Sequence, residues 1–111
     1  MSRAALLAWA SPVPHRTAEF VEWYENVHIP QVRAAIPSIE EVVRYRLVDP
    51  ADPERQPRFL TFYDLGEVDV ADASASLAEA AKAGELEPSS SMDLVTDPPV
   101  IQWYIRDSGA L

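Results

Sequence analysis

Apolar residues occupy both parities of the first segment, Arg3 to Ala10: Ala4, Leu6 and Ala8 on one side, Ala5, Leu7 and Trp9 on the other. That pattern fits a strand covered on both faces. Ser11-Pro12-Val13-Pro14 ends it, because two prolines cannot belong to a paired central strand. From His15 to Ala35 the spacing becomes helical. Phe20, Trp23, Tyr24, Val27, Ala34 and Ala35 fall on one stripe at about 100° per residue, with Glu22, Asn26 and Arg33 opposite. Thr17 is the expected N-cap, and Glu19 and Glu22 place negative charge where the helix dipole prefers it. Pro30 lies inside this pattern. It lacks an N–H and disfavours helical geometry at Ile29, which predicts a kink or break there. Pro37 stops the helix.

Ile39 to Val48 alternates as a strand, with Val43, Tyr45 and Leu47 against Val42, Arg44, Arg46 and Val48. A proline-rich charged loop over 49–57 turns the chain, and Arg58 to Leu65 returns with Phe59, Phe62 and Tyr63. Gly66 closes it. A second helix is predicted from Val70 to Ala83, capped by Asp69 and stopped by Gly84. Ala71, Ala75, Ala78 and Ala81 form its expected apolar stripe, with Leu77 off it. The stretch 85–99 is irregular, and Val100 to Arg106 is the last strand, carrying Trp103 and Tyr104. The order β-α-β-β-α-β over a single domain, residues 1–111, is that of an α+β ferredoxin-like sandwich, with both helices on one face of an antiparallel sheet. The other face is then bare, yet the strands are apolar at both parities. A bare apolar face of that size is an association site, so a homodimer with sheets packed face to face is expected.

Composition removes several chemistries. There is no cysteine among the 111 residues, so disulfides and thiolate nucleophiles are excluded. The formal net charge is −9 and the basic residues are scattered, which argues against nucleic acid as a partner. The run Ala4 to Ala10 after Arg3 is shorter than the roughly 15–30 residues of a secretory signal. Nothing approaches the ~20 apolar residues of a membrane span, so no membrane association is expected and a cytoplasmic protein is the default.

No phosphate-binding loop, dinucleotide fingerprint, zinc-protease or nucleophile-elbow pattern is present. The two histidines are thirteen residues apart, and nothing places them together as metal ligands. His15 beside two prolines reads as a surface residue. His28 lies on the flank of the apolar stripe, one turn after Tyr24 and just before Pro30. It reads either as a boundary histidine bonded to a local carbonyl or as a proton-transfer group facing a pocket between helix and sheet. The many large rings read either as a filled core or as an aromatic-lined pocket for a flat, hydrophobic ligand. Trp23, Tyr24, Tyr45, Tyr63 and Trp103 are the candidate wall, and Arg44 or a tyrosine is a candidate to steady a developing oxyanion.

The stretch Trp23-Tyr24-Glu25-Asn26-Val27-His28-Ile29-Pro30-Gln31-Val32, then Ile36-Pro37, then Val43-Arg44-Tyr45, resembles the EthD-type branch of the dimeric α+β barrel superfamily. Ser38 stands where those domains often have glycine. The resemblance implies a domain with no metal and no organic cofactor, and a pocket between sheet and helices. By position, His28 matches the family histidine, and Trp23 and Tyr45 match its aromatic positions. It implies an enzyme acting on a small aromatic, polyketide-like or lactone metabolite by histidine acid–base chemistry, as an isomerase, dehydratase or decarboxylase. The alternatives are a cofactor-free quinone-forming monooxygenase and a non-catalytic dimeric module that binds a hydrophobic metabolite.

Overall fold

A computed structural model describes residues 2–107. Its elements are β1 (Arg3–Ala10), α1 (Thr17–Trp23), a π-helical turn (Tyr24–His28), α2 (Ile29–Ala35), β2 (Glu41–Arg46), β3 (Phe59–Glu67), α3 (Val70–Lys82) and β4 (Val100–Ile105). The strands form one antiparallel sheet in the order β2-β3-β1-β4. That is the ferredoxin-like arrangement expected from the element order.

Strand alternation sorts the side chains onto two faces. Ala4, Leu6, Ala8 and Ala10 of β1 and Phe59, Thr61, Tyr63 and Leu65 of β3 are buried on the helix side. Leu7, Trp9 and Phe62 belong to the opposite face, which no helix covers. On β2 the register places Val42, Arg44 and Arg46 across from Tyr63, Thr61 and Phe59, hence on the helix side. Near the start of β1 the register slips by one residue, leaving Leu65 without a partner, and Gly66 follows at φ 68°. A glycine enters that left-handed conformation without the Cβ clash other residues meet.

Pro30 does distort the helix, but not by breaking it. The chain runs helically from Thr17 to Ala35, with a π turn over Tyr24–His28 and Pro30 in the first turn of α2. Such a turn admits one extra residue and rotates everything after it. The core-facing residues step from Phe20 to Tyr24, then to Ile29, Val32 and Ile36. A uniform stripe instead selects Ala34, which is exposed.

Two further expectations need correction. The N-cap of α1 is Arg16, with no side-chain capping bond, and Thr17 is the first helical residue. On α3 the buried face is Ala73 and Ala80, with Leu77 packed against the core, while Ala71, Ala75, Ala78 and Ala81 are exposed. Leucine outweighs alanine in deciding which face turns inward, because burial energy scales with apolar area. The Asp69 cap is as expected: its carboxylate accepts from the backbone N–H of Ala71 at 2.8 Å and of Asp72 at 3.3 Å. Asp69→Ala is expected to cost about 0.5–2 kcal/mol, read as a lowered urea midpoint with an unchanged slope.

The irregular stretch before β4 is pinned. Ser11 Oγ donates to Asp97 at 2.7 Å, Arg58 pairs with Asp97 at 3.0 Å, and Val13 N–H donates to the Ser91 carbonyl at 2.7 Å. Glu87 is held from the helix side: its carbonyl accepts from Trp23 Nε1 at 3.2 Å and its N–H donates to Gln31 Oε1 at 2.8 Å.

Candidate functional site

The π turn changes which side chains look toward the sheet. Tyr24 opens it and His28 closes it, four residues later. His28 stacks on the Trp23 ring, with centroids 4.9 Å apart and planes at 29°, and leans on Tyr24 at 4.8 Å. The imidazole is held between two rings of its own helix. Burial disfavours its charged form and lowers its pKa from 6.5 to about 4. At neutral pH His28 is therefore uncharged and able to accept a proton.

Tyr24 reaches across to the sheet. It is buried against Phe20, which also stacks on Phe59. Its hydroxyl accepts from Thr61 Oγ1 at 3.0 Å. Burial raises its pKa, while the Thr61 bond and the nearby Arg44 charge pull it back in part. Tyr63 lies two residues along the same face of β3 and is 1% exposed. Its phenol meets that of Tyr24 in a poorly aligned contact, so its oxygen is buried without a well-formed hydrogen bond. Burial, and then the adjacent Tyr24, push its pKa well above the ordinary tyrosine value. Both phenols keep their protons at any physiological pH.

Arg44 closes the cluster from β2, directly across from Thr61. Its Nη2 donates to Glu25 Oε1 at 2.8 Å, and its guanidinium carbon stands 5.4 Å from the Phe59 ring centroid. Its Nη1 is buried and unpartnered. The Tyr24 phenol ring thus has the neutral imidazole on one side and the Thr61 hydroxyl, the Tyr63 phenol and the Arg44 guanidinium around its oxygen.

Of the residues expected at the site, Trp23 and Tyr24 contact His28, while Arg44 and Tyr63 gather around the Tyr24 phenol. Tyr45 is elsewhere: it is 56% exposed on the helix-free face. Adjacent residues of a strand point to opposite faces, so Arg44 and Tyr45 cannot share one pocket within a single chain. Trp103 is on the helix side of β4 but beside Leu6, two strands from Tyr63 and thus ~10 Å away. It packs against the core there. Thr61 and Glu25 were not anticipated. Thr61 shares its parity with Phe59 and Tyr63, which could have revealed it; Glu25 has no such signal. Well-formed hollows lie apart from His28. One of about 190 Å³ is lined by Trp9, Tyr45, Leu47 and Leu60 among others. Another of about 260 Å³ runs along the outer side of Trp23.

The buried imidazole makes stability depend on pH. The unfolded histidine takes up a proton near pH 6.5 and the folded one only near pH 4. Within that window the unfolded state binds more protons, so stability falls as pH is lowered from about 6.5 to 4 and levels off below. The loss should be on the order of 2 kcal/mol, measured by urea unfolding at pH 7 and pH 4.2. His28→Gln should remove most of this slope. Asp64 and Asp93 are also held below their ordinary 3.8, by the backbone N–H groups they accept from and, for Asp64, by Arg3, so their own loss of stability begins only as pH falls through about 3.8, below this window.

No family model and no curated protein matches this sequence. Solved structures do. A dimeric ferredoxin-like protein from an uncultured marine organism aligns over 99% of this chain and 100% of its own, at 10% identity and TM-score 0.58. A candidate monooxygenase from Shewanella loihica PV-4 aligns over 96% and 99%, at 15% identity and TM-score 0.54. An ethyl tert-butyl ether d (EthD) family protein from Bacillus halodurans C-125 aligns over 96% and 99%, at 20% identity and a TM-score of 0.44. The first two carry the assignment, and at such identities they speak to architecture: this chain is an α+β protein of the ferredoxin-like fold.

Proposed function

We propose that this protein is a homodimeric enzyme that removes a proton from a small aromatic or carbonyl compound using its own side chains. His28 is the base, and Arg44 with Tyr63 steadies the oxygen on which negative charge develops. The observation that carries this reading is the neutral, ring-held His28 against Tyr24, whose phenol in turn meets Arg44 and Tyr63, each with a buried polar atom that lacks a partner. A native structure rarely leaves buried donors unpaired without a use for them. Donors fixed before the reaction need not reorganise as charge appears. A base with a pKa near 4 is weak, so it suits an acidified proton, such as one between a carbonyl and an aromatic ring, or a phenolic one. Isomerisation and dehydration of aromatic polyketide-like compounds both begin with such a deprotonation. The resemblance of Trp23 to Tyr45 to EthD-type domains supports the same class.

A second reading has one observation in its favour, the description of the Shewanella protein as a candidate monooxygenase. The carbanion left by the same deprotonation would then add dioxygen; the O–O bond breaks, one oxygen stays as the new quinone carbonyl and the other leaves as water with the two protons of the original carbon. Deuterium exchange separates the readings from inactivity. A panel of aromatic 1,3-diketones and hydroxynaphthalenes in D2O should show protein-dependent exchange of the acidic C–H by NMR. Oxygen uptake with the same compounds marks the second reading. Neither exchange nor uptake with any member of the panel would overturn both.

A further inference from the structure

The Arg44 guanidinium is only half committed. Nη2 is held by Glu25 at 2.8 Å, while Nη1 is buried with no acceptor. The Tyr63 oxygen is buried without a partner on the adjacent strand, and the Tyr24 phenol lies against both residues. A carboxylate or phosphate is best recognised by both terminal nitrogens of an arginine at once, and Glu25 already takes one of them. What remains buried without an acceptor is Nη1 and, on the adjacent strand, one phenol, an arrangement that suits a single oxygen between two different side chains.

Charge points the same way. Glu25 neutralises Arg44 locally, and the chain as a whole carries a formal −9. An anion brought here gains little from Arg44 and is repelled by the rest. A neutral ligand meets no such barrier and acquires its negative charge only within reach of Nη1 and Tyr63. Resting on the reading above, we infer that Arg44 Nη1 and the Tyr63 hydroxyl form a single-oxygen subsite that selects neutral phenols and enolisable ketones over carboxylates and phosphates of the same shape.

The test is calorimetric titration of the intact protein at pH 7 with 2-naphthol and with 2-naphthoate. The naphthol should bind at least about tenfold more tightly, because its oxygen fits the donors that Glu25 leaves free. Tyr63→Phe should weaken naphthol binding about three- to thirtyfold, the range of one buried hydrogen bond. This variant removes an unpaired buried hydroxyl, so its thermal midpoint should hold or rise, which keeps the result interpretable. Arg44→Gln should weaken naphthol at least as much. Naphthoate binding as tightly as naphthol overturns the inference, and so does unchanged naphthol affinity in Tyr63→Phe or no naphthol binding at millimolar concentration. Naphthol binding that depends on Tyr63, alongside absent deuterium exchange, would sink the enzymatic reading and leave the subsite standing.

Discussion

Replacing His28 by glutamine should lower turnover by about 10²–10⁴-fold, the usual contribution of a general base. Glutamine preserves bulk between Trp23 and Tyr24 and cannot accept a proton. The effect should therefore fall on kcat, with ligand affinity nearly unchanged. The pH profile supplies an independent check. For the wild type, kcat/KM reports the free enzyme, so its acid limb should lie near pH 4 and not near the ordinary histidine value of 6.5. The sign follows from burial: the charged imidazole is disfavoured between the rings, so the base stays available well below neutrality. An acid limb at 6.5 in the wild type, or one that persists in His28→Gln, would assign the proton transfer elsewhere. A purely structural His28 predicts the reverse pattern: stability drops by about 1–3 kcal/mol and activity per folded molecule does not change.

The order of elements and the two-faced strands were readable because alternation and helical spacing are local properties. So was the presence of a distortion at Pro30, since a missing N–H acts on its own turn. Its form was not readable. The π turn shifts α2 by one residue, and that shift decides that Ile29, Val32 and Ile36 enter the core while Ala34 does not. Only packing against the sheet settles such a choice. The site shows the same division. His28, Trp23 and Tyr24 lie within six residues of sequence and could be grouped from spacing alone. Arg44 and Tyr63 depend on strand register, which no local pattern sets, although alternation already forbade Arg44 and Tyr45 from sharing a face. Glu25 sits on a polar flank and becomes interesting only because Arg44 arrives opposite it.

Phe62→Asp should convert a wild-type dimer into a monomer. The shape of the chain motivates this. It is a slab of 42 × 40 × 21 Å, with a radius of gyration of 14.9 Å, where a compact domain of this length would have about 13 Å. Its accessible surface of 7231 Å² exceeds the about 6,100 Å² expected for a monomer of this mass. The excess is on the order of what one partner loses in a specific interface. The helix-free face carries apolar residues on all four strands, Leu7, Phe62, Val43 and Tyr104 among them, with Arg3, Glu41 and Asp64 gathered at one end and Gln102 on β4, and Tyr45 and Tyr104 are 56% and 48% exposed. Phe62 lies at its middle, between Leu7 of β1 and Val43 of β2. A carboxylate there would be buried without a partner on association, a penalty of about 2–5 kcal/mol. That corresponds to roughly 30- to several-thousand-fold in the dimer dissociation constant. Sedimentation at micromolar concentration should give twice the 12.3 kDa chain mass for the wild type and the single chain mass for Phe62→Asp. Lys82→Asp, which places the same carboxylate on the exposed C-terminal end of α3 instead of the open sheet face, should remain dimeric. A wild type that sediments as a single chain would mean that the open face stays wet, and that the site beside His28 works within one chain.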